Sequence, residues 1–82
     1  MITKYVIYEF FPYTFPGQVN HRLFADNLNM IRRRIESAGF VALLPDGSFH
    51  CFGESESLGI KSRPEDSEIF NMMFKPREVA PC

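Results

Sequence analysis

The adjacent residues His50 and Cys51 are of the types that a catalytic nucleophile and its general base require. They fall in a predicted strand, where neighbouring side chains point to opposite faces, so they cannot form a hydrogen-bonded dyad. A buried cysteine is usually a small apolar filler, and nothing in the sequence places His21 beside Cys51. We therefore expect no catalytic residues and no enzymatic activity; a small enzyme that uses His50 or Cys51 is the third hypothesis.

Patterns that bind metals or cofactors are missing from the sequence. The histidines and cysteines form no C-x-x-C, H-x-x-x-H or H-E-x-x-H spacing. The segment FGESESLG lacks the Gly-x-x-x-x-Gly-Lys pattern of a phosphate loop, and its two glutamates would repel a phosphate. We expect neither a metal nor a cofactor. Both Cys51 and Cys82 are expected to be free thiols, as in a reducing compartment.

A group of acidic residues is the strongest indication of a binding surface. Glu54, Glu56, Glu65, Asp66 and Glu68 lie close together in the sequence. The dipole at the start of a helix explains the last three equally well. We expect the group to dock a basic protein surface, with Tyr13 or Phe15 as an aromatic anchor. The aromatic segment Phe10–Phe15 is otherwise interpreted as a lid over an open edge of the core.

The run of arginines Arg32, Arg33 and Arg34 carries the alternative interpretation. On a helix they would form a face able to contact phosphates, which would make the chain a nucleic-acid-binding module. Local ion pairs four residues apart, Arg32 with Glu36 and Arg22 with Asp26, would neutralise part of the arginine charge. The net charge of −1 disfavours a nucleic-acid partner, because such domains are usually basic.

The first half of the chain predicts a strand and a long helix. Ile2–Phe11 has apolar residues on both faces, which indicates a central strand that ends at Pro12. Asn20 is a suitable N-cap for a helix from His21 to about Ala38, with Gly39 beyond its end. The helix would pack through an apolar stripe at steps of four and three residues, formed by Phe24, Leu28, Ile31, Ile35 and Ala38.

The second half predicts a hairpin and a second helix. Strands 40–44 and 48–52 flank the turn LPDGS. A polar loop at 53–57 precedes residues 58–61, which either continue the strand after a bulge or form another edge strand. In "SRPE", Ser62 and Glu65 have the spacing of a capping box that opens a helix, which Pro76 would end.

These elements predict a single α+β domain over residues 1–75 and a C-terminal tail over 76–82. The fold would be a small β-α-β-β-α sandwich with a three-stranded, mostly antiparallel sheet. The sequence contains no apolar run near the ~20 residues of a membrane helix, and Met1 leads directly into the first strand, so we expect no signal peptide and a cytoplasmic location.

The leading functional hypothesis is a non-enzymatic intracellular protein that binds another protein. The size class favours a phage or mobile-element accessory protein that inhibits a host factor. A homodimer is compatible with the apolar surface that the sequence predicts.

Overall fold

An antiparallel sheet of four strands forms the middle layer of the fold, in a computed structural model that describes residues 2–74. The strands are β1 (Ile2–Tyr8), β2 (Phe11–Phe15), β3 (Ile35–Leu43) and β4 (Phe49–Phe52), in the order β2-β1-β3-β4. A second sheet pairs β5 (Glu54–Ser55) with β6 (Ile60–Lys61). The helices are α1 (His21–Asn27) and α2 (Asp66–Phe74), and a 3-10 turn spans Arg32–Arg34.

The predicted α+β class with an antiparallel sheet is confirmed, and the sheet has four strands rather than three. Strand β1 is central, and both of its faces are covered, as its two apolar faces predict. Val6 belongs to a core with α1 and the β5–β6 hairpin, on the side that we name the α1 face. Tyr5 and Ile7 belong to a core with Phe70 of α2, on the side that we name the α2 face.

Most of the aromatic segment Phe10–Phe15 forms a regular strand, β2. The chain turns at Glu9 and Phe10, and β2 returns along β1 with Pro12 opposite Ile7. Proline is acceptable here because β2 is an edge strand, and one side of an edge strand has no ladder partner. The segment is thus part of the main sheet rather than a separate lid.

The predicted helix from His21 to Ala38 is wrong beyond its first two turns. Asn20 caps α1 as predicted, since its Oδ1 accepts a hydrogen bond from the Leu23 N–H at 2.7 Å. The helix ends at Asn27, and Asn29 takes a positive φ of 55°, which a continuing helix does not allow. Leu28 is 49 % exposed, so it is not a core residue.

The remaining residues of the predicted apolar stripe lie outside α1. Ile31 is exposed, whereas Ile35 and Ala38 are buried as residues of β3. Gly39 lies inside β3 rather than at a helix end, and it permits a close approach between chain segments. A Cβ added there would lie 2.6 Å from the carbonyl oxygen of Phe52.

The predicted β-hairpin after Gly39 is confirmed by the pairing of β3 with β4. Gly47 has a φ of 87° in the turn, a conformation that glycine adopts without strain. The segment predicted as a polar loop contains β5, and the predicted edge strand is β6.

The start of α2 differs from the predicted capping box. The Ser62 hydroxyl donates to the carbonyl oxygen of Gly53 at 2.7 Å, whereas the Asp66 carboxylate accepts from the Arg63 N–H at 2.9 Å. Residues 75–82, with the predicted helix stop, domain boundary and tail, lie outside the described residues.

Side chains of α2 occupy the outer edge of β4. The Asn71 Oδ1 accepts from the Phe49 N–H at 2.7 Å, and the Asn71 Nδ2 donates to the Phe49 carbonyl at 3.1 Å. The Ser67 hydroxyl accepts from the Cys51 N–H at 2.8 Å. Four helical residues rise about 6 Å and two strand residues about 6.6 Å, so the two spacings match. The helix therefore takes the place of a neighbouring strand.

We predict that Asn71→Ala destabilises the fold by about 1–3 kcal/mol, because it leaves both backbone polar groups of half-buried Phe49 without these partners. The comparison is Met72→Ala, since Met72 is 82 % exposed on the same helix and its truncation should change stability by less than about 0.5 kcal/mol. Urea denaturation midpoints measure both. Equal midpoints for the two variants would contradict the role assigned to Asn71.

Candidate functional site

Asp66, one of the five predicted partner-binding acids, lies in the interior. Its side chain is fully buried. The Tyr5 hydroxyl donates to Asp66 Oδ2, and Arg63 Nε donates to Asp66 Oδ1 at 3.0 Å. The carboxylate is therefore occupied by groups of this chain and does not lie on a binding surface.

The four remaining acids are all exposed, but they belong to layers on opposite faces of the main sheet. Glu54 and Glu56 lie on the β5–β6 segment, which packs on the α1 face through Leu58. Glu65 and Glu68 lie at the start of α2, which packs on the α2 face. The sequence grouped them because they are close along the chain, whereas the fold separates them into two pairs.

Phe15, one of the two predicted aromatic anchors, is a core residue with 4 % exposure. Its ring stacks on Phe24 at a centroid distance of 4.1 Å and meets the His21 ring edge-on at 5.2 Å. Tyr13 is half-buried, and its ring contacts Phe11 at 5.2 Å. The Phe15 anchor is therefore wrong, and Tyr13 is only partly available.

The exposed aromatic side chain of this segment is Phe10, which is 83 % exposed. It occupies the two-residue turn between β1 and β2, where Glu9 and Phe10 have φ values of 49° and 70°. This left-handed conformation favours Gly or Asn and is strained for a bulky residue. Sequence reasoning missed the turn because neither Asn-Gly nor a similar turn pair marks it.

Groups at the start of β3 hold the Glu9–Phe10 turn in place. The Phe10 N–H donates to the Glu36 carboxylate at 2.9 Å, and the Glu9 N–H donates to the Arg34 carbonyl at 3.3 Å. Arg34 Nη1 also donates to the Glu9 carboxylate at 3.1 Å. The turn therefore presents the Phe10 ring from a fixed backbone.

The three arginines form a 3-10 turn rather than a face of α1. Arg32 donates from Nε and Nη2 to the Leu58 carbonyl, at 2.9 and 2.6 Å, and so holds the β5–β6 hairpin. Arg34 pairs with Glu9. Arg33 lines a cleft of about 480 Å³ together with Phe10, Glu9, Arg34 and Glu36. The predicted nucleic-acid face therefore reduces to Arg33 and a partly engaged Arg34.

His50 and Cys51 point to opposite faces of β4, as expected. Cys51 is a free, buried thiol on the α2 face, whereas His50 is exposed. Burial, reinforced by the negative charge of Asp66, raises the pKa of Cys51 to about 12. The thiol is therefore protonated at neutral pH and is a weak nucleophile. Cys82 lies outside the described residues.

A second cleft, of about 530 Å³, opens on the α1 face beside His21. It is lined by Lys4, Asn20, His21, Phe40, Glu54, Glu56 and Ser57. The His21 Nε2–H donates to the Gly39 carbonyl at 2.9 Å. Burial lowers the pKa of His21 below its usual 6.5, so its ring is neutral at pH 7. We name this space the acidic cleft.

Among residues 2–74, no group of three or more His, Cys, Asp or Glu side chains is placed to hold a metal ion. No helix in the same range is long and apolar enough to cross a membrane.

Comparison with known proteins identifies no relative of this chain. No family model, curated protein or solved structure matches it.

We predict that Asp66→Ala costs about 2–4 kcal/mol, because the Tyr5 hydroxyl and the Arg63 donors lose their acceptor. Glu68→Ala removes an exposed acid from the same helix and should cost no more than about 0.5 kcal/mol. Thermal unfolding of the two variants measures the difference. A loss of stability no greater for Asp66→Ala than for Glu68→Ala would contradict the buried, hydrogen-bonded role assigned to Asp66.

We predict that His21 makes stability fall as the pH drops below neutral. Because the folded state lowers the His21 pKa, the unfolded chain binds the proton more tightly. The stability of the neutral ring is fully present above about pH 6.5 and is lost as the pH falls through the folded pKa. Urea midpoints from about pH 7.5 to about pH 5 should therefore fall less steeply for His21→Gln than for wild type. His50→Gln, at the exposed histidine, should keep the wild-type slope, and equal slopes for His21→Gln and wild type would refute the assignment.

Proposed function

We propose that the protein acts by binding another protein, without catalysis, and that the partner holds the ring of Phe10. The observation that carries this proposal is an aromatic side chain, 83 % exposed, on a backbone with a φ of 70°. Such a backbone costs about 1–3 kcal/mol and persists where the surrounding structure over-determines it, commonly at functional sites. The exposed ring contributes little to the fold, so contact with a partner supplies a reason for its position.

The surroundings of Phe10 suit a protein interface. Aromatic and arginine side chains dominate binding energy at such interfaces, and Arg33 and Arg34 line the cleft beside the ring. The hydrogen bond from the Phe10 N–H to Glu36 fixes the turn, which reduces the entropy lost on binding. A partner with an apolar pocket for the ring and a carboxylate facing Arg33 would complement this surface.

The state of Cys51 supports a function without catalysis. Its thiol is buried and protonated, and His50 lies on the other face of β4. We retain, as a hypothesis based on size class, an accessory protein of a phage or mobile element that inhibits a host factor in the cytoplasm. Identification of the captured partner tests that hypothesis.

Nucleic-acid binding is the second candidate, and the pairing of Phe10 with Arg33 in one cleft favours it. Bases stack on exposed aromatic rings while arginines contact phosphates. The net charge of −1 and the engagement of Arg32 with Leu58 weaken this candidate relative to a protein partner.

We predict that Phe10→Gly separates stability from binding. Glycine adopts a positive φ without strain, so stability should stay the same or rise by up to about 1 kcal/mol. Loss of the ring should lower the affinity for a protein partner by at least about 30-fold. The partner is captured from a lysate of the source cells with immobilised wild-type protein, and its affinity is then measured against purified variants.

Met72→Ala is the matched control, since it removes an equally exposed apolar side chain that lies outside the cleft beside Phe10. Its affinity should stay within about threefold of wild type. Equal affinity of the partner for Phe10→Gly and wild type would exclude the proposed contact. Binding of a poly-dT oligonucleotide that Phe10→Gly and Arg33→Ala abolish would instead support the second candidate. A second copy of the chain as the captured partner would identify a homodimer.

A further inference from the structure

The acidic cleft combines two carboxylates with an aromatic wall. Glu54 and Glu56 are exposed at its rim, and half-buried Phe40 forms part of its lining. Within the described part of the chain, neither glutamate makes a salt bridge. Lys61, the partner of Glu54 across the β5–β6 ladder, is not within ion-pairing distance of it.

The other polar groups of the cleft leave it negative. Lys4 is the one cation among its lining residues, and its Nζ donates to the Val19 carbonyl at 3.1 Å. His21 donates from Nε2 to the Gly39 carbonyl and carries no charge at pH 7. Two carboxylates against one ammonium therefore favour a positively charged ligand.

A row of rings extends the aromatic wall away from the cleft. Phe40 stacks with Phe52 at a centroid distance of 5.8 Å, and Phe52 stacks with His50 at 5.7 Å. The row runs across β3 and β4 on the α1 face, toward exposed His50. The faces of such rings attract cations, and arginine most readily because its planar guanidinium stacks.

Gly53 explains how the carboxylates come beside this wall. It has a φ of 74°, and a Cβ added there would lie 3.0 Å from the Phe40 ring. The glycine therefore lets the chain leave β4 sharply while passing against Phe40. Glu54 follows immediately, at the rim of the cleft.

We propose that the acidic cleft binds an arginine side chain from a basic segment of a partner protein. The guanidinium stacks on Phe40 and donates hydrogen bonds to the Glu54 or Glu56 carboxylate. The acidic cleft is a separate site from the contact at Phe10. The Phe10 turn follows Tyr8 at one end of β1, whereas the cleft adjoins Lys4 toward the other end of that strand. Either surface can fail its test while the other holds.

The probe is a blocked pentapeptide with one arginine between glycines, and its control carries citrulline, which has the same shape without the charge. Two-dimensional NMR of the full chain follows the amide resonances during titration. We expect saturable shifts centred on residues 53–57 and Phe40. The citrulline peptide should bind at least about tenfold more weakly, which corresponds to a loss of about 1.4 kcal/mol of binding free energy.

The variant Glu54→Gln/Glu56→Gln should lose the arginine-specific shifts. Glu65→Gln/Glu68→Gln removes the same charge from exposed acids outside the cleft and should keep them. Unchanged amide spectra away from the substituted residues verify that both variants are folded. Equal weakening by the two double variants, equal binding of the citrulline peptide, or stronger binding of a dT oligonucleotide at the same amides would each overturn the proposal.

Discussion

The hydrogen bond from the Tyr5 hydroxyl to the buried carboxylate of Asp66 joins the central strand to the first residue of α2. A carboxylate removed from water must receive hydrogen bonds, and the donors around Asp66 set where the helix can start. From there, four-residue steps place Phe70 in the core and Ser67 and Asn71 against the edge of β4. Because one contact fixes the helix, it also closes an edge that would otherwise present unpaired backbone groups.

The sequence predicted the parts of the fold that local chemistry determines. The two apolar faces of β1, the Asn20 cap and the turn at Gly47 all follow from near neighbours. The long helix was wrong because apolar spacing continued by coincidence into β3, where Ile35 and Ala38 pack as strand residues. The segment ESAG has a weak strand preference, so pairing with β1 decides its conformation. Periodicity in one segment carries no information about such a partner.

The positions of the candidate site residues were predictable for exposed charges. They were not predictable for residues that are buried by contacts with distant parts of the chain. Glu54 and Glu56 lie at the surface as expected. Asp66 was assigned to the same surface because its partner Tyr5 is 61 residues away along the chain. Phe10 was not singled out, since its positive φ is a conformation that the residue type disfavours. Strain of this kind is visible only in the folded backbone.

The 3-10 turn Arg32–Arg34 connects the two candidate binding surfaces through side-chain hydrogen bonds. Arg34 holds the Glu9–Phe10 turn, and Arg32 holds the Leu58 carbonyl in the hairpin segment that follows Glu54 and Glu56. Both arginines act from a short 3-10 turn directly before β3, which pairs with the central strand. Because both surfaces are fixed to one element, their separation is set by the fold rather than by a flexible loop. A single partner that contacts both must therefore present its apolar pocket and its arginine at a matching distance, which adds a geometric requirement to the chemical one.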